Sequence, residues 1–191
     1  MQTYWTRKNQ VQVLTPGVDA PRLASSSTPE EWAMMGNTMF ERKKYRQAKL
    51  CYQRALLSER ATVANAYFLR DEAGKIPVQK ATGKEKTPRN TAYVVAAEEF
   101  LKCVAIVPAQ ALVYYRTAAK CFEEGSSPRR AAKAYVLGEE YNRPTEIWDG
   151  LGMFDEAINL IQKHKVEIEA DLVEQVVRHG KTHYYRQKEY S

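Results

Sequence analysis

The stretch Trp32-Ala33-Met34-Met35-Gly36-Asn37-Thr38-Met39-Phe40, followed by Ala48-Lys49-Leu50-Cys51-Tyr52-Gln53-Arg54-Ala55, decides the fold. Trp32, Met35, Met39 and Phe40 recur at the three- and four-residue spacing of one helix face. Lys43-Lys44 breaks that pattern, and Tyr45, Ala48, Tyr52, Ala55 and Leu56 begin it again on a second helix. Each helix carries one position too small to fill a core, Gly36 in the first and Ala48 in the second. Small residues there let two helix backbones cross closely, and the large residues beside them fill the remaining space. The reading is a helix–turn–helix.

Working outward, the first helix has a strong start. Ser27 or Thr28 can cap it, Pro29 suits the first helical position, and Glu30 and Glu31 favour the positive end of the helix dipole. The capping-box spacing holds from Thr28 to Glu31 or, one frame earlier, from Ser27 to Glu30. Further helices are predicted over residues 60–73, ended by Gly74; 91–107, closed by Pro108; and 109–124, ended by Gly125. After these come one begun by Ser127-Pro128, a short one begun by Arg143-Pro144-Thr145, one opened by Asp155, and a last one over 167–185 interrupted or kinked at Gly180. Residues 1–26 read as an irregular tail or linker in which Val11 to Leu14 form a short strand or an extended piece. Residues 75–90, rich in lysine and holding Pro77, Gly83 and Pro88, read as a loop. No alternating β pattern of useful length follows residue 20. The class is all-α, with a helical domain over residues 27–191.

Composition narrows the function classes. Of 191 residues, 44% are hydrophobic and 27% charged, with 9 glycines and 8 prolines, which places the chain among globular proteins. No run approaches the ~18 apolar residues of a membrane-spanning helix, and residues 1–14 lack the apolar core of a signal peptide. Cys51, Cys103 and Cys121 are widely spaced and sit inside apolar helical patterns, as buried thiols in a reducing compartment do. The expected location is intracellular, cytoplasmic or nuclear.

The Trp32-x2-Met35-Gly36-x2-Met39 and Ala48-x3-Tyr52 arrangement resembles the tetratricopeptide (TPR) repeat, a helix–turn–helix of ~34 residues written W-x2-L-G-x2-Y and A-x3-F. Met39 stands where the pattern has tyrosine, and the proline that ends a repeat is missing near Arg60. Ala96-x3-Phe100, Ala131-x3-Tyr135 and Ala157-x3-Ile161 repeat the small-x3-large step at unequal offsets. The expected architecture is a degenerate TPR-like α-solenoid of antiparallel helix pairs. Ser27-Thr28-Pro29-Glu30-Glu31-Trp32, Phe40-Glu41-Arg42-Lys43-Lys44-Tyr45, Cys51-Tyr52-Gln53-Arg54-Ala55 and Ala66-Tyr67-Phe68-Leu69-Arg70 carry a further resemblance. They are similar to the helical region after the UvrD/Rep-type helicase core of large fungal proteins, themselves similar to animal TPR-and-ankyrin-repeat helicase-like proteins. Ala118-Ala119-Lys120-Cys121-Phe122 and Gly152-Met153-Phe154-Asp155-Glu156-Ala157 fit the same region, so the likeness covers about residues 25–185. It implies an accessory module of a superfamily-1 helicase-like protein.

A search for catalytic chemistry finds little. Around Thr82-Gly83-Lys84, residue 78 is Val78 where a phosphate-binding loop needs its first glycine, and Glu85 stands where it needs Ser or Thr. His179 and His183 have the i, i+4 spacing of two zinc ligands, yet Gly180 follows His179 where a metalloprotease helix has glutamate, and no third ligand is apparent. Asp155-Glu156 and Glu139-Glu140 sit at helix ends as dipole partners or solvated charges. The expectation is a non-enzyme without cofactor or metal.

Binding is the remaining reading. In the first repeat Asn37 occupies the asparagine position of the TPR carboxylate clamp, but Ala33 stands in place of the clamp lysine; Tyr67 and Arg70 on the third helix join Asn37 as candidate groove residues for a protein partner. The partner is an external protein or the helicase core of the same parent chain. The net charge of +6 supports an alternative, contact with single-stranded nucleic acid through phosphates and stacked bases. Lys80, Lys84, Lys86 and Arg89 in the basic loop, Arg129 and Arg130 beside Lys133, and Arg178, Lys181, Arg186 and Lys188 among Tyr184, Tyr185 and Tyr190 are the residues for it.

Overall fold

In a computed structural model of the chain, the described residues are 11–12, 23–24, 27–78 and 87–189. They are all-α in class: nine α-helices and one 3-10 turn, with a single two-residue antiparallel strand pair that sets Val11 opposite Ala24 and Gln12 opposite Leu23. The rest of the 1–26 segment, and residues 79–86 of the 75–90 loop, lie outside the described residues. Contacts divide the chain into two compact units, Met1–Asp71 and Glu72–Ser191.

The first unit is built on α1 (Pro29–Glu41), α2 (Tyr45–Arg54) and the greater part of α3 (Ser58–Lys75). Of the two possible caps, Thr28 is the one used. Its hydroxyl accepts from the Glu31 N–H and the Glu31 carboxylate accepts from the Thr28 N–H, which closes the capping box. The close crossing expected at Gly36 is present: a Cβ on that residue would lie 2.6 Å from Cε1 of Tyr52. Trp32, Met35, Met39, Ala48, Cys51, Tyr52, Ala55, Ala61 and Ala64 form one apolar core around it. Arg54 lies over the Trp32 ring at 4.7 Å.

The second unit holds α4 (Pro88–Ile106), α5 (Ala111–Glu124), α6 (Pro128–Leu137), α7 (Asn142–Gly150), α8 (Phe154–His164) and α9 (Ala170–Glu189). Each helix packs on the next, and α7 also touches α9. The 3-10 turn Pro108–Gln110 joins α4 to α5, so the helix expected from residue 109 starts two residues later. The last helix starts at Ala170 rather than near 167, and it runs unbroken through Gly180, which is buried against Phe154 and Ile158 of α8. The expected interruption is absent because the missing side chain is taken up by interhelix packing, which leaves the backbone hydrogen bonds intact.

One turn recurs in both units. Lys43, Leu56, Ser126, Glu139 and Gly152 all have φ between 48° and 68°, the left-handed region. Within each unit these positions follow one another every thirteen residues. The next N–H then bonds back to the carbonyl of a large buried residue: Lys44 to Met39, Leu57 to Tyr52, Ser127 to Phe122, Glu140 to Tyr135 and Met153 to Trp148, at 2.8–3.0 Å. This is the six-to-one bond of a Schellman helix end. The residue whose carbonyl closes each turn also anchors its helix in the core, and four positions earlier stands Met35, Ala48, Ala118, Ala131 or Pro144, all buried. Two such steps take 26 residues, against about 34 for a TPR unit.

Candidate interaction surface

The three proposed groove residues of the first unit are all engaged within it. Asn37 Oδ1 accepts from the Tyr52 hydroxyl at 3.0 Å and from Arg60 at 3.2 Å, so this side chain ties α1 to α2 and α3. Tyr67 stacks on Tyr45 at 5.1 Å and meets Phe40 edge-on at 5.4 Å. The Arg70 guanidinium lies 5.0 Å from the Tyr67 ring centre and 3.0 Å from the Asp71 carboxylate. Tyr67 and Arg70 are half-buried. Together Phe40, Tyr45, Tyr67 and Arg70 make one aromatic–cationic cluster, while Asn37 belongs to a separate hydrogen-bonded seam.

The basic residues divide in the same way. Lys80, Lys84 and Lys86 lie outside the described residues, as do Tyr190 and the side chains of Arg186 and Lys188. Arg89 donates to the carbonyls of Gly74 and Ile76 at 3.1 and 2.9 Å and lies over Tyr93, so it closes the C-terminal end of α3. Arg130 packs over Phe122 at 4.2 Å and pairs with Glu98 at 3.0 Å. Arg129, Lys133, Arg178 and Lys181 are exposed. Arg89 is thus engaged within its own unit, whereas Arg130 makes its contacts from a half-exposed position and the other four are open to solvent.

Two polar clusters were not found by sequence reasoning. In the first, Glu123 accepts from the Tyr135 hydroxyl and from Arg143 Nε at 2.9 Å, and Arg143 also reaches Glu146 at 2.7 Å. Burial pushes the Tyr135 hydroxyl pKa up, with the Glu123 hydrogen bond adding to it; hydrogen bonds to Glu123 and then Glu146 push Arg143 up. A cleft of about 500 Å³ opens beside this cluster, lined also by Pro128, Ile147 and Leu151. In the second, the buried Asp149 carboxylate (8% exposed) accepts from Gln175 Nε2 at 2.9 Å and faces His179 Nδ1 at 2.9 Å. His179 is thus a partner of α7 rather than a companion of His183, whose ring lies against Phe154 at 5.1 Å. A carboxylate on the last turn of a helix opposes the dipole, which was the available sign that Asp149 needs a cationic or donor partner.

Cys51, Cys103 and Cys121 are all buried. Burial pushes the Cys51 thiol up to about 12 and the Cys103 thiol up to about 11, so both stay protonated and unreactive at neutral pH. No group of three or more His, Cys, Asp or Glu that could hold a metal occurs among the described residues, and no helix among them is long and apolar enough to cross a membrane. No protein-family model, curated protein or solved structure matches the chain. The class the fold defines is an all-α protein of short, successively packed helices.

Proposed function

We propose that the chain is a non-catalytic helical-repeat module for protein–protein or intramolecular contact, a degenerate TPR-like α-solenoid serving as an accessory region of a superfamily-1 helicase-like protein. One observation carries the helical-repeat part of the reading, the left-handed turn that recurs at a thirteen-residue pitch in both units; the TPR likeness rests on the Trp32 to Ala55 pattern alone. Repeats of one helix-and-turn unit bury their apolar faces against neighbours and leave long continuous surfaces for partners. The helicase association rests on the resemblance of residues 25–185 alone.

Within the rival reading, a single-strand track, Arg89 turns to the carbonyls of Gly74 and Ile76, while Arg130, paired with Glu98, stays half exposed. The test is fluorescence anisotropy of the purified chain with labelled single- and double-stranded oligonucleotides across a salt series. The interaction-module reading expects no saturable binding at low salt. Saturable binding to single strands that weakens steeply with salt would replace it with the nucleic-acid reading.

A further inference from the structure

The outward face of α9 is built to pair with itself. On a helix of 100° per residue, Ala170, Glu174, Val177, Lys181 and Tyr184 fall in one stripe, with Tyr185 at its edge. All of them are exposed in the structure, Val177 at 38% and Tyr185 at 71%. The stripe borders an apolar groove of about 380 Å³ between α8 and α9, lined by Ile158, Val177, Gly180, Lys181, Tyr184 and Tyr185. The opposite side of α9 is occupied by its own unit, through Val176 in the core and through Gln175 and His179 on Asp149.

Charge and size along this stripe are complementary under one operation. A two-fold axis between Val177 and Arg178 runs two α9 helices antiparallel and sets residues equally far before and after that point opposite each other. Glu174 then faces the second copy's Lys181, and Lys181 faces the second copy's Glu174. Tyr185, the most exposed ring of the stripe, faces Ala170 of the other copy, a large side chain against a small one. Val177 lies next to the axis, opposite Arg178 of the other copy, with the groove beside it. Among the described residues neither Glu174 nor Lys181 has an ion-pair partner within the chain, and a two-fold contact repeats each favourable pair twice. We propose that a second copy of this chain docks here, α9 against α9, as a symmetric antiparallel dimer held by Val177 and Tyr185 and set in register by the Glu174–Lys181 pairs. The contact is independent of the partner sought in the preceding section.

The experiment is sedimentation equilibrium of the whole chain from about 1 to 200 μM, with E174K and K181E as single variants and as an equimolar mixture. Both positions are on the surface, and circular dichroism checks that helix content is unchanged. The wild type is expected to show a monomer–dimer equilibrium. Each single reversal places like charges opposite each other twice and is expected to weaken the dimer about tenfold or more. In a mixed pair, the lysine introduced by E174K meets the glutamate introduced by K181E, and the unchanged Lys181 and Glu174 meet at the symmetric position. Dimerisation is therefore expected to return in the mixture as that mixed pair. A wild type that stays monomeric overturns the proposal. So does a dimer indifferent to both reversals, or one that the mixture fails to restore.

Discussion

Tyr52 fills the space that a side chain on Gly36 would take: its Cε1 and Cδ1 lie 2.6 and 2.7 Å from the position of a Cβ there. The same ring is held from its far end by the hydrogen bond from its hydroxyl to Asn37, and it is buried. Tyr52 therefore cannot swing away without breaking a bond and opening the core. Gly36→Ala gains up to ~1 kcal/mol of helix propensity but overpacks this crossing, at a cost of about 1–3 kcal/mol. The expected net effect is a loss of up to roughly 2 kcal/mol in urea denaturation. Gly150→Ala is the control, because nothing lies within 4 Å of its Cβ; it is expected to be neutral or stabilising. Equal effects at the two positions would refute the close-crossing account.

The left-handed turns make a second prediction. Leu56 has φ 59° and is 84% exposed, so its Cβ meets the following carbonyl while its side chain gains little from burial. Leu56→Gly is expected to stabilise the chain by about 0.5–1 kcal/mol, since glycine carries no such penalty. Gly152, at φ 68°, occupies the equivalent place after α7, and Gly152→Ala is expected to cost about 1 kcal/mol. Chemical denaturation of both variants checks the pair, and a loss of stability in Leu56→Gly would mean that the leucine makes a contact the exposure does not reveal.

How much of this was legible depended on how local each signal is. The α1–α2 hairpin could be read because its periodicity, its capping box and its two small residues all lie within about 25 residues of sequence. The Ala131-x3-Tyr135 and Ala157-x3-Ile161 steps were visible, but the turn pitch joining them was not. Pro144 fills the small position ahead of Trp148 and hides that step, and Lys43, Leu56, Ser126 and Glu139 stand where a left-handed turn is usually announced by glycine. The partners of the site residues were hidden for a related reason. Sequence shows that Arg89 and Asn37 carry polar groups, while their partners, Gly74 and Ile76 for one and Tyr52 and Arg60 for the other, are fixed only by packing.

The Asp149 site is the case with the longest reach. Its carboxylate is buried on α7, and both of its donors, Gln175 and His179, come from α9 about thirty residues on. Removing the imidazole in His179→Ala leaves a buried carboxylate with one donor. Unsatisfied buried acceptors cost about 1–3 kcal/mol. His179 is half exposed, so water replaces part of the lost interaction and the lower end of that range is expected. Asp149→Asn, which keeps an acceptor without the charge, is expected to cost less. Hydrogen exchange along 170–185 should rise more in His179→Ala than in Asp149→Asn. The reverse order would show that the histidine is a surface residue with no part in holding α9.

The thiols give a pH dependence with a definite sign. Burial raises Cys51 from the ordinary thiol value of 9.0 to about 12 and Cys103 from 9.0 to about 11. In the unfolded chain both ionise near the ordinary value; in the folded chain both remain protonated. An acid whose folded pKa is raised favours unfolding once pH passes the unfolded value, because only the unfolded chain can release the proton. The stability these groups permit is therefore complete below pH 9 and falls as pH climbs from 9 toward 11 and 12. Urea midpoints are expected to decline over that window, and Cys51→Ala should flatten the decline even though its cavity lowers the starting stability. Below pH 9 a disulfide-exchange reagent should modify neither thiol in the native protein and both in urea, since the thiolate is the attacking species. Rapid labelling of Cys51 in the folded chain at about pH 8, below its ordinary ionisation range, would show that it is neither buried nor protonated, and the packing of α2 against α1 would have to be redrawn.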